Sequence, residues 1–170
     1  MNILLTGGAG YIGSNVILSL IDKKHNVTVI DDLSTGNKKL LPKGIEFYNC
    51  NINNNEKVER IIKTKKFDLL MHFAGYIKVE ESVLNPKKYI NNNTYNAITL
   101  FENCYKNKLN NIIFSSTAAV YGNVEKNFTI SEEDVLKPIN PYGNSKVKTE
   151  NYLLENKDKF NSIILRYFNV

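Results

Sequence analysis

The 170-residue chain predicts one α/β domain built on a doubly wound, mostly parallel sheet. Three observations carry that expectation. Short apolar runs alternate with longer segments of helical period, as βαβ units do. A glycine-rich turn, "TGGAGYIGS" at 6–14, joins the first apolar run to the first helical stretch. A hydrophobic fraction of 42% beside a charged fraction of 23% is the composition of a chain that folds around a core. At this length there is room for one such core and not for a second domain of comparable size.

Strands are expected at 2–6, 26–31, 45–48, 67–72, 111–115 and 162–167. The first helix, 11–23, begins at the glycines and aligns Ile12, Val16, Ile17, Leu20 and Ile21 on one face. Segment 55–64 places Val58, Ile61 and Ile62 on one side. Segment 87–106 reads as one crossover helix with Ile90, Ala97, Ile98, Phe101 and Tyr105 aligned. The two prolines of "KPINP" read as a loop turning into a helix that starts near Tyr142 and runs to about Lys157. The asparagine clusters "NINNN" and "NNN" read as loop or helix-end chemistry.

Several function classes fall away. The net charge of +5 comes from scattered lysines with no dense basic block, so nucleic acid is not an expected partner. No stretch approaches the roughly 20 apolar residues of a membrane span. The first strand starts almost at Met1, leaving no room for a signal peptide, so a cytoplasmic location is expected. Cys50 and Cys104 lie far apart without CxxC spacing, and His25 and His72 offer no cluster with them. No metal site is expected, and the thiols read as reduced and structural.

Gly8, Gly10 and Gly13 stand in the order G-x-G-x-x-G, with Gly7 in front, between a strand and a helix. Bare glycines let phosphate oxygens reach the N–H groups and positive dipole end of the helix. The same residues also suit a plain structural turn. "VIDD" places Asp31 at the end of the second strand, close to where a dinucleotide fold puts the carboxylate that takes a ribose diol. A carboxylate there repels a 2′-phosphate, which favours NAD over NADP; Asp31 also suits a turn cap.

"PYGNSK" sets Tyr142 and Lys146 one helical turn apart. In a chain this rich in both residues, about one such match arises by chance, so its surroundings decide. Upstream, "NIIFSSTAAVYG" reads as a buried strand ending in hydroxyls, and ligands of open parallel sheets bind at carboxyl ends of strands. A strand-end hydroxyl, a tyrosine and a lysine make a set that moves a proton off an alcohol, the ammonium favouring the phenolate. The alternative is a tyrosine packed on the sheet beside a surface lysine.

These motifs, with "IDDLSTGN", "DLLMHFAGYIKVEESVLNP", "YINNNTYN" and "LRYFNV", resemble the extended short-chain dehydrogenase/reductase superfamily, an NAD-binding Rossmann fold. Within it they are most similar to the UDP-glucose 4-epimerase family, from end to end of the chain. Nucleotide-sugar dehydratases resemble a Thr-Asp-Glu pattern where this chain has Thr117, Ala118 and Ala119, which argues for epimerisation. The resemblance implies that Gly7, Gly10 and Gly13, with Tyr11 and Ile12, line the pyrophosphate, and that Asp31 and Asp32 hold the adenosine ribose. It implies cofactor contacts for Asn51, Ile52, Phe73, Ala74, Gly75, Asn92 and Tyr167. Thr117 takes the position bonded to the reacting sugar hydroxyl, Tyr142 is the base, Lys146 holds the nicotinamide ribose, and Asn169 touches the UDP-sugar.

Two departures stand out. Asn51-Ile52 replaces an Asp-Ile pair, and Ile77 replaces a lysine, with Lys78 one position later. The family continues past "RYFNV" into a smaller sugar-binding domain, so residues 1–170 correspond to the NAD-binding half. Alone, this half is expected to show little or no turnover and to leave one part of its sheet uncovered. Three functional readings are open: a UDP-glucose 4-epimerase, a related UDP-N-acetylhexosamine epimerase or nucleotide-sugar decarboxylase, and a non-catalytic NAD-binding module. Helices 87–106 and 142–157 match those of a homodimer contact in the family.

Overall fold

The computed structural model describes residues 1–123 and 129–168. Six parallel strands form one sheet: β1 (Asn2–Thr6), β2 (Asn26–Asp31), β3 (Glu46–Asn49), β4 (Leu69–His72), β5 (Asn111–Thr117) and β6 (Asn161–Tyr167). Their order is β3-β2-β1-β4-β5-β6. The chain therefore winds outward from β1 in one direction, returns, and winds out from β4 in the other. The reversal falls between β1 and β4, the position at whose carboxyl end open α/β sheets bind their ligands.

Alternation along each strand divides the core. Leu4, Ile30, Leu70, Ile112 and Phe114 point to one face. They pack under α2 (Asn55–Ile62), through Val58, Ile61 and Ile62, and under two longer helices described below, through Leu100, Phe101 and Leu153. Ile3, Leu5, Val27, Val29 and Met71 point to the other face, where α1 (Tyr11–Asp22) inserts Ile17. Among the described residues, that second face is open beyond β4. A groove there runs along Leu69, Ile113, Ser162 and Ile163, and Ile163 is 58% exposed.

The crossover from β4 to β5 differs from the single helix expected at 87–106. A short α3 (Val79–Leu84) precedes α4 (Pro86–Tyr89), which runs through a π-helical stretch, Ile90–Asn96, into α5 (Ala97–Lys106). The extra residue per turn in a π segment rotates the helix beyond it, a device common at functional sites. The buried stripe of α5 is accordingly Ala97, Leu100, Phe101 and Cys104, while Tyr105 turns partly out. "NNN" lies inside this stretch and not at a helix end: Asn93 is 1% exposed. The last helix, α6 (Pro141–Glu155), begins with proline at its first position, and the Asn140 side chain accepts from Gly143 N–H. Both cysteines are buried free thiols, and burial pushes each of them up.

Candidate active site

The carboxyl ends of the strands bring most of the named residues to one rim. Gly7 follows β1, Asp31 and Asp32 end or follow β2, Asn51 follows β3, and Phe73–Gly75 follow β4. Thr117 ends β5, and Tyr167 ends β6. Asn169 lies outside the described residues.

The glycine loop is held from three sides. Gly7, at φ +75°, donates its N–H to Ile30 O at 2.9 Å, and a side chain there would strike the backbone of Phe73 and Ala74. Ala9 N–H donates to Asp31 Oδ2 at 2.9 Å, and Leu33 N–H donates to Asp31 Oδ1 at 2.8 Å. Asp31 therefore ties the end of β2 to the loop, and each carboxylate oxygen keeps a lone pair for a further donor. Gly10 caps α1 with no side-chain bond, and no acidic residue occupies the first turn. The helix thus offers its first amides and positive dipole end without an internal anion. A Cβ on Gly10 would meet only Gly7 O, at 3.3 Å, so a phosphate can approach on that side. These residues fit a dinucleotide: amides for a pyrophosphate and a buried carboxylate for a ribose diol.

Other named residues are placed differently from one another. Tyr11 is 70% exposed at the start of α1. Ile12 is half-buried behind it. Asn51 donates its amide to Asp32 Oδ2 and accepts Asn53 N–H, so it braces the second aspartate. Ile52 is 5% exposed within the core. Asn92 donates to Asn93 Oδ1 at 3.1 Å. Lys78 lies exposed before α3, where its carbonyl accepts the Tyr89 hydroxyl.

Tyr142 and Lys146 are 9% and 3% exposed on the first two turns of α6. Gly143 lets that helix end close on the turn after Thr117, since a Cβ would sit 3.0 Å from Pro138 and overlap the Ala119 backbone. Burial pushes the Tyr142 phenol up, and the Thr117 hydroxyl opposes that shift. Lys146 Nζ donates to Ser115 O at 2.8 Å and lies 4.9 Å from the centre of the Phe114 ring. Burial brings Lys146 down to about 8, with Glu150 acting against it. A phenol held up by burial and an ammonium held down sit one helical turn apart beside the end of β5, a pairing suited to proton transfer.

Several residues of this site carry no local sequence signal. Asn93 accepts Tyr76 N–H and donates to Tyr76 O, both at 2.9 Å, and donates to Ser145 Oγ at 3.2 Å. It fastens the loop after β4 to α6. Thr149 donates its hydroxyl to Asn93 O at 2.8 Å and completes the clamp. His72 is 1% exposed, bonded through Nδ1 to Thr6 Oγ1 at 2.6 Å, stacked on Phe114, and its Nε2 has no partner among the described residues.

Burial, with Lys146 adding to it, lowers His72 to about 3. In the unfolded chain the ring takes a proton near 6.5, so stability is full above that pH and is lost as the pH falls toward 3. Between about pH 6.5 and 5, above the carboxylate range, His72 is expected to cost the fold about 2 kcal/mol. Urea unfolding of the wild type against His72→Gln checks this. A slope unchanged in the variant would assign the acid sensitivity elsewhere.

This end of the sheet defines the class: a dinucleotide-binding, Rossmann-like α/β domain. The chain belongs to the NAD dependent epimerase/dehydratase family, whose profile matches residues 3–170. A UDP-glucose 4-epimerase of Azospirillum brasilense is 44% identical over 170 residues, covering 99% of this chain and 49% of its own length. The UDP-glucose 4-epimerase of Thermus thermophilus, in complex with NAD, superposes with a TM-score of 0.95 at 32% identity, over 98% of this chain and 55% of that one. The UDP-Glc/GlcNAc 4-epimerase of Campylobacter jejuni superposes at 0.93 with 40% identity, over 99% of this chain and 53% of that one. The chain spans about half the length of the curated relatives it matches.

Among the described residues, no three His, Cys, Asp or Glu side chains converge as a metal site would require. No described helix is long and apolar enough to cross a membrane.

Proposed function

We propose that residues 1–170 are the NAD-binding half of a nucleotide-sugar 4-epimerase that interconverts UDP-glucose and UDP-galactose. The observation that carries this reading is the buried Tyr142–Lys146 pair at the end of β5, Tyr142 beside the Thr117 hydroxyl and Lys146 on Ser115 O, with the glycine loop at the same end of the sheet. The amides of the Gly7–Gly13 loop hold the pyrophosphate, Asp31 the adenosine ribose, and Lys146 the nicotinamide ribose. When bound, NAD supplies a reversible hydride acceptor and so ends each turnover as it began. Thr117 orients the C4 hydroxyl, and Tyr142 takes its proton as the C4 ketone forms. Returning that proton after the sugar presents its opposite face completes inversion, with no net oxidation.

Relatives named for other sugars, including a putative UDP-arabinose 4-epimerase of Arabidopsis thaliana at 40% identity, keep the site of reaction and change the substrate. The Tyr142, Lys146 and Thr117 set serves any of them. Because these residues match only about half the length of the relatives, they are proposed to turn over slowly or not at all by themselves. The outward sides of α5 and α6, with Tyr105 39% and Leu154 53% exposed, supply the face for a homodimer.

Mass spectrometry of nucleotide released on denaturing the purified chain tests the reading, with titration of any cofactor-free fraction. One NAD per chain, released or taken up, is expected. No release and no uptake would overturn the assignment.

A further inference from the structure

The buried side of α6 carries a polar stripe at four-residue spacing: Tyr142, Lys146 and Glu150. Each member meets one residue at the end of β5. Tyr142 faces the Thr117 hydroxyl, Lys146 donates to Ser115 O, and Glu150 Oε1 accepts the Ser116 hydroxyl. The helix is thus zipped to three consecutive strand residues by polar groups in place of apolar ones.

Glu150 is 0% exposed, a position a carboxylate occupies only with strong partners. Its second partner comes from β6. Arg166 donates through Nη2 to Oε2 at 2.8 Å and through Nε to Oε2 at 3.2 Å. The guanidinium also donates through Nη1 to the Tyr121 hydroxyl at 2.7 Å and to Glu132 O at 3.1 Å. One ion pair therefore joins the ends of β5 and β6 to the helix bearing Tyr142 and Lys146.

We propose that Glu150, held by Arg166, is the positioning residue of this site, fixing Ser115–Thr117 against α6 and setting the charge of the Lys146 ammonium. The proposal rests on the role given to Lys146 above. The titratable groups around that ammonium are Tyr142 and Glu150 on its own helix and His72 from β4, with Arg166 of β6 paired to Glu150. Removing either member of the pair therefore moves Lys146 in opposite directions. Glu150→Gln leaves an unopposed guanidinium and makes the ammonium easier to deprotonate. Arg166→Gln leaves an unopposed carboxylate and makes it harder. A packing role alone predicts no such reversal of sign.

NMR titration of the chain labelled with ¹³C at lysine Cε reads this directly, with Lys146→Met for assignment. The Lys146 midpoint is expected to fall by about one pH unit in Glu150→Gln and to rise in Arg166→Gln. Shifts of the same sign, or none, overturn the proposal. Should a single variant fail to fold, Glu150→Gln/Arg166→Gln removes both buried charges together and leaves neither orphaned. That double variant is expected to take up NAD roughly tenfold more weakly than the wild type, because the strand end is no longer held. Unchanged affinity there overturns the proposal. A wild type that takes up no NAD would overturn the functional reading, while the Lys146 midpoints would still decide the positioning role.

Discussion

Gly13→Ala is expected to abolish NAD uptake and to lower the unfolding free energy by roughly 3 kcal/mol, near the upper end for overpacking. The added Cβ would overlap Gly7 O and stand 2.8 Å from Gly8 Cα and 3.0 Å from Gly7 C. All three are backbone atoms, so no rotamer change relieves the clash. The loop has little freedom to retreat, since Gly7 is bonded to Ile30 O and backed by the Phe73–Ala74 backbone. The displacement must spread into the amides that receive the pyrophosphate. Gly44→Ala is the matched control: its φ is +80°, but a Cβ there meets nothing within 4 Å. It carries only the backbone penalty, about 1 kcal/mol, and leaves NAD uptake intact. Urea unfolding and NAD titration of both variants check the pair. A folded Gly13→Ala chain with wild-type affinity would mean that these glycines serve the turn alone.

The sheet and its glycine loop were legible because both are local. Period-two and period-3.6 patterns mark the strands and helices within a few residues, and a G-x-G-x-x-G turn needs only its own flanks to be read. The interior of the site was less legible because its residues are polar and distant in sequence. Asn93 reads as one asparagine in a run of three, yet the π turn carries it inward to bond with Tyr76. Glu150 carries no signal of its own in the sequence, because its partners Ser116 and Arg166 lie 34 and 16 residues away. The spacing of Tyr142, Lys146 and Glu150 was the available signal; the motif stops at the lysine, and the stripe continues one turn further. Asn51, which the resemblance places among the cofactor contacts, donates its amide to Asp32, a bond no neighbouring residue signals. A local rule cannot find a partner supplied by another strand.

In a form of the protein that turns over a UDP-sugar, Tyr142→Phe is expected to reduce kcat by about 10²- to 10⁴-fold. Stability and NAD uptake of residues 1–170 are expected to stay close to wild type. The substitution keeps the ring, whose edge meets Tyr89 with centroids 6.3 Å apart, and deletes only the hydroxyl. That hydroxyl meets Thr117, while the Lys146–Ser115 and Glu150–Ser116 bonds still tie α6 to the sheet, so the loss falls on chemistry. Because the C4 hydroxyl is neutral in the ground state and gives up its proton only as the ketone forms, KM should move far less than kcat. Burial raises the Tyr142 phenol, so the proton-accepting phenolate is scarce at neutral pH and wild-type kcat should climb as pH rises. A charged Lys146 aids the phenolate, and as Lys146 itself loses its proton near about 8 the climb should flatten. In Tyr142→Phe both limbs should vanish together, which separates loss of the base from a misplaced substrate. Full kcat in a folded Tyr142→Phe protein would make Tyr142 a packing residue. The Tyr142–Lys146 pair would then mark a nucleotide-binding wall, with the proton moved by another group.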